Sequence, residues 1–165
     1  MAKNHRDETV VIAAGYPMAC QRVLEANAGL RSRFATTIAF ASYSPDELIA
    51  IADRIAVDAG DTIAAGATDV LRDPLTRFYG IQTETAVGDV IRGIDELGNA
   101  RFVRTVIEGA QQHRAERIVT QYGLSEVDLT DVTVGEDIAV SDLEQLIAED
   151  VAEGLASALP TSFRG

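Results

Sequence analysis

The segment that most constrains this chain begins at Ser44, where three signals for a helix start coincide. Ser44 suits the N-cap, Pro45 suits the first helical position, and Glu47 stands at the spacing of a capping box. The apolar side chains that follow recur with the helical period: Leu48, Ile51, Ala52 and Ile55. Because such a helix has one apolar stripe, we expect it to pack against other elements by that face and to end near Gly60.

Helical patterns occupy much of the remaining sequence, which predicts a mainly α protein. A loop is expected over residues 80–85, and residues 160–165 read as a frayed end. Asn99 is expected to cap the longest helix, whose face carries Phe102, Val106 and Ala110. The predicted helices besides the one at Ser44 span residues 18–26, 62–78 (weakened by Gly66 and Pro74), 86–97, 100–119 and 141–158.

Two short apolar segments predict a small parallel sheet. Thr9–Ala14 is a nearly continuous β-branched run, as in strands buried on both faces, and Ala35–Ala41 alternates. With the helix between them they have the size of a crossover unit. A further alternation spans Leu129–Val134. The expected fold class is therefore mainly α with a small parallel β part.

The charge excludes some classes of partner. The formal net charge is −12, and Ser125–Glu153 alone carries −10 without a Lys or Arg, which predicts a solvated acidic face. Such a balance argues against nucleic acid or an anionic membrane as partner. The apolar run Val10–Cys20 is too short for a membrane span, so no membrane insertion is expected. Cys20 is the single cysteine and cannot form an internal disulfide, so a cytoplasmic location is expected.

Two pairs of arginines are candidates for binding an anion. Arg31 and Arg33 lie in a predicted loop, where guanidinium groups suit phosphate or carboxylate oxygens, or are simply solvated. Arg101 and Arg104 lie in the first turn of the Asn99 helix, where they oppose the helix dipole unless an anion binds there. Alternatively, Arg104 pairs with Glu108 and Arg101 is solvated.

No metal site is predicted. The chain has two histidines, His5 and His113, which are far apart in sequence, and its one cysteine has no partner at metal-ligand spacing. The acidic residues between Glu136 and Glu153 lack the alternating spacing and central glycine of a calcium loop.

Five blocks in this order resemble one family: VVIAAGY, NAGLRSRF, ASYSPDEL, GNARFVR and IAEDV. Together they are similar to the C-terminal half of AAA+ ATPases of the CbbX/EccA (type VII secretion) branch, over roughly residues 7–155. The resemblance implies that residues 1–43 are the end of an AAA+ α/β core with two strands, that 44–159 are the helical lid, and that 160–165 are a tail.

The resemblance also implies roles for single residues. Tyr16 would stand near the sensor 1 position, at the end of the strand Val10–Ala14. Arg33 matches the arginine finger, with Arg31 assisting. Arg101 in the GNAR block matches sensor 2, the lid arginine that contacts the nucleotide, and Asn99 and Arg104 flank it.

The family's function implies ATP and Mg²⁺ as cofactors, a ring of AAA+ subunits as partners, and remodelling or delivery of secreted protein substrates. However, the chain holds no G-x-x-x-x-G-K-[ST] motif, since Lys3 is its single lysine, and no strand ending in Asp-Glu. We therefore expect a portion of an ATPase, as a fragment or a truncated gene product, that hydrolyses no ATP alone. The alternatives are a stand-alone module that docks on complete AAA+ subunits and an inactive product.

Overall fold

A computed structural model describes residues 10–86, 88–123 and 138–163. The chain divides into two compact units. The smaller comprises residues 1–40 and 84–90, and the larger comprises residues 41–83 and 91–165. The predicted alternation at Leu129–Val134 and part of the acidic stretch lie outside the described residues.

The smaller unit contains helices α1 (Pro17–Ala26) and α2 (Ala28–Arg31). The helix predicted at 18–26 is thereby confirmed, and Asn27 both ends α1 and caps α2 through its side-chain oxygen. The predicted strands are wrong: residues 10–14 and 35–41 form none. A strand of a parallel sheet needs a neighbour to satisfy its backbone. Val10, Ile12 and Phe40 are instead 87%, 87% and 92% exposed.

The larger unit is a helical bundle. Its helices are α3 (Pro45–Asp58), α4 (Ala65–Gly80), α5 (Gly93–Glu96), α6 (Ala100–Tyr122), α7 (Val140–Glu144) and α8 (Ala148–Ala158), followed by a 3₁₀ turn at Thr161–Phe163. Its small parallel sheet pairs β1 (Thr62–Ile63) with β4 (Gln145–Leu146), with Thr62 opposite Gln145. Strands β2 (Gln82–Glu84) and β3 (Val90–Arg92) form a second pair. The predicted class, mainly α with a small parallel sheet, is confirmed, although other segments form the sheet.

Helix α3 begins as its sequence predicts. The Ser44 hydroxyl accepts from the Glu47 amide, and the Glu47 carboxylate accepts from the Ser44 amide. The Ser44 amide and, to a lesser extent, the Ser44 hydroxyl donate to the Glu47 carboxylate and hold the pKa of Glu47 below its ordinary value. The apolar face packs into the core: Leu48 and Ala52 are fully buried, beside Leu71 and Leu75 of α4 and Val103 and Val106 of α6.

Five other predicted elements change in the structure. The helix predicted at 62–78 begins with β1, and α4 keeps Pro74 within it. The region predicted as loop and short helix, 80–97, forms β2, β3 and α5. The last helix is divided, because β4 interrupts it to pair with β1. In the described part of the predicted frayed end, residues 161–163 form a 3₁₀ turn, and the Phe163 ring packs edge-to-face on Phe78 with centroids 5.4 Å apart.

Two buried aspartates tie the bundle to α6. Asp150 of α8 is fully buried and accepts from Arg117 Nε and Nη2, both at 3.1 Å, and contacts His113 Nδ1 at 2.8 Å. Burial raises the pKa of Asp150, but the hydrogen bonds from Arg117, His113 and the Ile147 amide lower it by more. The pKa of Asp150 is therefore below its ordinary value. Asp61 is paired similarly with Arg114 and Gln111. Asp150 thus corrects the predicted acidic face: this carboxylate is internal.

Candidate functional site

A cleft of about 500 Å³ lies between α3 and the start of α6, within the larger unit. Ile51 and Ile55 form its apolar wall on α3, in the row of residues that the sequence places on the packing face. The charged residues that line it are Arg54 and Asp58 of α3 and Arg101 and Arg104 of α6. The cleft therefore combines an apolar wall with three guanidinium groups.

The arginines of the cleft differ in how they are held. Arg54 Nε lies 2.9 Å from Asp58 Oδ1, one helical turn away, and both side chains are exposed. Arg101 and Arg104 are exposed as well, and the described ion pairs do not include the alternative pairing of Arg104 with Glu108. The helix dipole and the arginines favour an anion at this helix end.

Asn99 precedes α6 as predicted, but its side chain does not cap the helix. Its amide nitrogen donates to Asp95 Oδ1 at 2.5 Å, and its amide oxygen accepts from the Tyr43 amide at 3.3 Å. Asn99 has φ 57° and ψ −122°, the one positive φ among the described non-glycine residues. The prediction of a helix start at Asn99 is confirmed, and the prediction of side-chain capping is wrong.

The other two predicted arginines belong to the smaller unit. Arg31 ends α2, and its Nη2 lies 4.0 Å from Glu25 Oε1. Arg33 follows α2, is exposed, and donates from Nη1 to the Gly29 carbonyl at 3.3 Å. The pair therefore lies at the end of a short helix, and these two contacts use only a few of the N–H donors of the two guanidinium groups.

Tyr16 also lies in the smaller unit, and it is 56% exposed. It stands at the N-cap of α1, where its carbonyl accepts from the Cys20 amide at 2.9 Å. Because residues 10–14 form no strand, Tyr16 does not stand at a strand end as the resemblance implies.

Comparison with known proteins gives the family. The model of the AAA lid domain matches residues 44–159, which is more than half of the chain. The chain belongs to the AAA lid domain family. The matched range includes the whole cleft and all of α3 to α8, the helices of the larger unit, and it also includes residues 84–90 of the smaller unit.

Curated relatives agree with this family. The ESX-5 secretion system protein EccA5 of Mycobacterium marinum is 45% identical over 157 residues, covering 95% of this chain and 26% of the relative. The ESX-1 secretion system protein EccA1 of Mycobacterium leprae is 36% identical, covering 94% and 24%. ESX-3 EccA3 of Mycolicibacterium smegmatis is 35% identical, covering 81% and 22%. The resemblance to the EccA branch is thereby confirmed, and the chain spans about a quarter of these relatives' length.

Two residues in or near the cleft, Arg54 and Asp95, were not predicted from the sequence. Arg54 could have been found, because it lies one turn from the apolar stripe of α3 and next to Ile55. Asp95 could have been suspected from its i, i+4 spacing to Asn99. The hydroxyl of Ser42, 53 residues earlier, also donates to Asp95, and no local pattern indicates that contact.

Residues 10–86, 88–123 and 138–163 contain no group of three or more His, Cys, Asp or Glu side chains arranged to hold a metal ion. In the same ranges, no helix combines the length and apolar character needed to cross a membrane.

Proposed function

We propose that this chain supplies the AAA lid and the nucleotide-responsive arginines of an EccA-like ATPase of type VII secretion. The AAA lid match supports this proposal most directly, because the matched range includes the cleft between α3 and the start of α6, which is lined by three arginines. ATP hydrolysis in a ring of AAA+ subunits would remodel or deliver the secreted proteins, in the cytoplasm.

Arg101 acts as sensor 2 in this proposal, with Arg104 and Arg54 as neighbouring cations. Its exposed guanidinium can form planar, charge-assisted bonds with a phosphate oxygen. The start of α6 adds the positive end of the helix dipole. The donor set of the cleft therefore fits the triphosphate of ATP.

Arg33 acts as the arginine finger for ATP bound by a neighbouring subunit, with Arg31 assisting and Tyr16 near sensor 1. Arg33 uses one guanidinium N–H for the Gly29 carbonyl and keeps others for a phosphate. Such a residue stabilises the charge that develops on the transferred phosphoryl group.

Mg²⁺ would neutralise charge on the β- and γ-phosphates of the bound nucleotide. The described residues hold no cluster that fits this ion, and we assign it no ligand there. The lysine of a phosphate loop is also lacking from the sequence. Both elements would come from another part of the ATPase, so the isolated chain is expected to hydrolyse no ATP.

The test is a hybrid in which this chain replaces the matching 157 residues of EccA5 from M. marinum. We expect the hybrid to hydrolyse ATP and Arg33→Ala to lower its kcat by about 100-fold or more. Arg101→Gln should lower turnover by about 100-fold. Arg22→Gln, an exposed arginine on α1, is the control and should leave turnover unchanged.

Two outcomes contradict the proposal. Turnover by the isolated chain would show that it is not a dependent part, and unchanged turnover in Arg33→Ala and Arg101→Gln hybrids would remove both assigned roles. Adding the chain to unmodified EccA5 distinguishes this proposal from the docking-module alternative, because only that alternative predicts a change in ATPase rate or ring size.

A further inference from the structure

Asp95 collects three hydrogen bonds within the larger unit. Its Oδ2 accepts from the Ser42 hydroxyl at 2.8 Å and from the Arg92 amide at 3.0 Å. Its Oδ1 accepts from the Asn99 side chain at 2.5 Å. Both carboxylate oxygens are therefore used, and they join residues that are far apart in the sequence.

Asn99 extends this network in a conformation that suits glycine better. Its φ of 57° with ψ −122° is a region that side chains with a Cβ rarely adopt. The side chain links Asp95 to the Tyr43 amide instead of capping α6. If this position served only as a backbone turn, glycine would be more stable there. We therefore expect the hydrogen bonds of the Asn99 side chain to offset the cost of its backbone conformation.

The joined segments are those at which the chain enters the larger unit. Residues 41–43 follow the first division between the units, at Phe40, and residues 91–93 follow the division after Val90. Ser42 and Tyr43 of the first segment and Arg92 of the second make the hydrogen bonds to Asp95 and Asn99. Both are bonded to the residues that precede α6, and Arg101 follows Asn99 by two positions.

We infer that Asp95 and Asn99 form a clamp that positions the start of α6, and with it Arg101, relative to the segments entering the lid. Asp95 holds Ser42 and Arg92, and Asn99 holds Tyr43. The consequence for nucleotide rests on the proposed function: a shift of Arg101 on binding ATP would pass through these bonds to Ser42 and Tyr43. The clamp itself requires no nucleotide.

The experiment uses this chain without nucleotide and compares Asn99→Gly, Asn99→Ala and Gln112→Ala. Amide hydrogen exchange of Tyr43 and the amide chemical shift of Arg101 are followed by NMR, and stability by thermal unfolding. Asn99→Gly should speed exchange at Tyr43 by about fivefold and move the Arg101 signal without lowering Tm, because it relieves the backbone. Asn99→Ala should change both signals similarly and also lower Tm.

Gln112→Ala is the matched control, because it removes a side-chain amide that bonds a carboxylate elsewhere on α6, Glu116. It should leave Tyr43 exchange and the Arg101 signal unchanged. Ser42→Ala tests the common centre: its effect on Tyr43 exchange should be reduced in the Asn99→Gly background, because both side chains bond Asp95.

Wild-type exchange at Tyr43 in the Asn99→Gly chain would overturn the clamp, and so would fully independent effects of Ser42→Ala and Asn99→Gly. If Arg101→Gln leaves ATP turnover of the EccA5 hybrid unchanged while Asn99→Gly still speeds Tyr43 exchange, the clamp stands and the sensor 2 assignment fails. The two proposals therefore fail separately.

Discussion

Gly154 of α8 lies directly against the backbone of Val106 in α6: a Cβ atom at Gly154 would stand 2.3 Å from the Val106 carbonyl oxygen. Gly109 of α6 faces the same point, since a Cβ there would lie 3.1 Å from the Gly154 Cα. The two helices can approach this closely only because neither residue has a side chain. This close contact between α6 and α8 therefore depends on two glycines.

The first prediction concerns this contact. Gly154→Ala should lower the free energy of unfolding by about 3 kcal/mol, because the methyl group meets backbone atoms that cannot move without separating α6 from α8. Chemical denaturation measures the change. Gly66→Ala is the control: that glycine is exposed in the first turn of α4 with nothing within 4 Å of its Cβ position, so it should be neutral or slightly stabilising. Equal effects of both substitutions would refute the prediction.

The second prediction concerns the start of α3. Ser44→Ala should destabilise the fold by about 1 kcal/mol through loss of the N-cap bond to Glu47. It should also raise the pKa of Glu47 only part of the way to its ordinary value, because the Ser44 amide still donates to that carboxylate. Denaturation and an NMR titration of Glu47 measure the two effects. Ser44→Thr should retain both properties, and a full return of the Glu47 pKa to its ordinary value in Ser44→Ala would contradict this prediction.

The third prediction concerns Asp150 and pH. The native pKa of Asp150 is below its ordinary value of 3.8, so its stabilisation is complete above that value and is lost as the pH falls through the native pKa. Asp150→Asn should cost about 3 kcal/mol at pH 7, because it leaves Arg117 without its buried counter-charge.

The difference in unfolding free energy between wild type and Asp150→Asn should shrink once the pH drops below about 4. Denaturation at a series of pH values tests this. Asp53→Asn changes an exposed aspartate of α3 and should have little effect at any pH. A difference that stays constant into acid would mean that the charge of Asp150 is not what stabilises the fold.

The fourth prediction concerns the chain end. Phe163→Ala should destabilise the AAA lid by about 2 kcal/mol, because its half-buried ring loses the edge-to-face contact with Phe78. Phe163→Leu should cost less, since it retains part of the apolar area. Thermal unfolding measures both. Stability equal to wild type in Phe163→Ala would restore the expectation of a frayed end.

Local signals predicted the helices well where they were self-contained. The capping box at Ser44 and the apolar row of α3 are satisfied by residues within four positions, so the sequence specifies them without reference to the rest of the fold. The same holds for the apolar face of α6, on which Phe102, Val106 and Ala110 are buried. Arg101 and Arg104 could be proposed because cations in a first turn oppose the helix dipole.

Local signals failed where distant residues compete for the backbone or a side chain. The last helix is interrupted because Gln145 and Leu146 pair with β1, more than 80 residues earlier. Asn99 is a residue type that suits an N-cap, but its side chain is hydrogen-bonded to Asp95 and to the Tyr43 amide instead. The apolar run at 10–14 has strand propensity, and without a paired neighbour in the described structure that propensity makes no strand.

The sequence by itself determined the helical class, the start of α3, the apolar faces and the resemblance to the EccA branch, because each depends on residues close together in the chain. Only the tertiary structure decided which carboxylates are internal, where α6 and α8 touch through glycine, and that Asp95 and Asn99 join the entrances of the AAA lid to the helix bearing Arg101. These contacts span tens of residues, and packing rather than local propensity selects them.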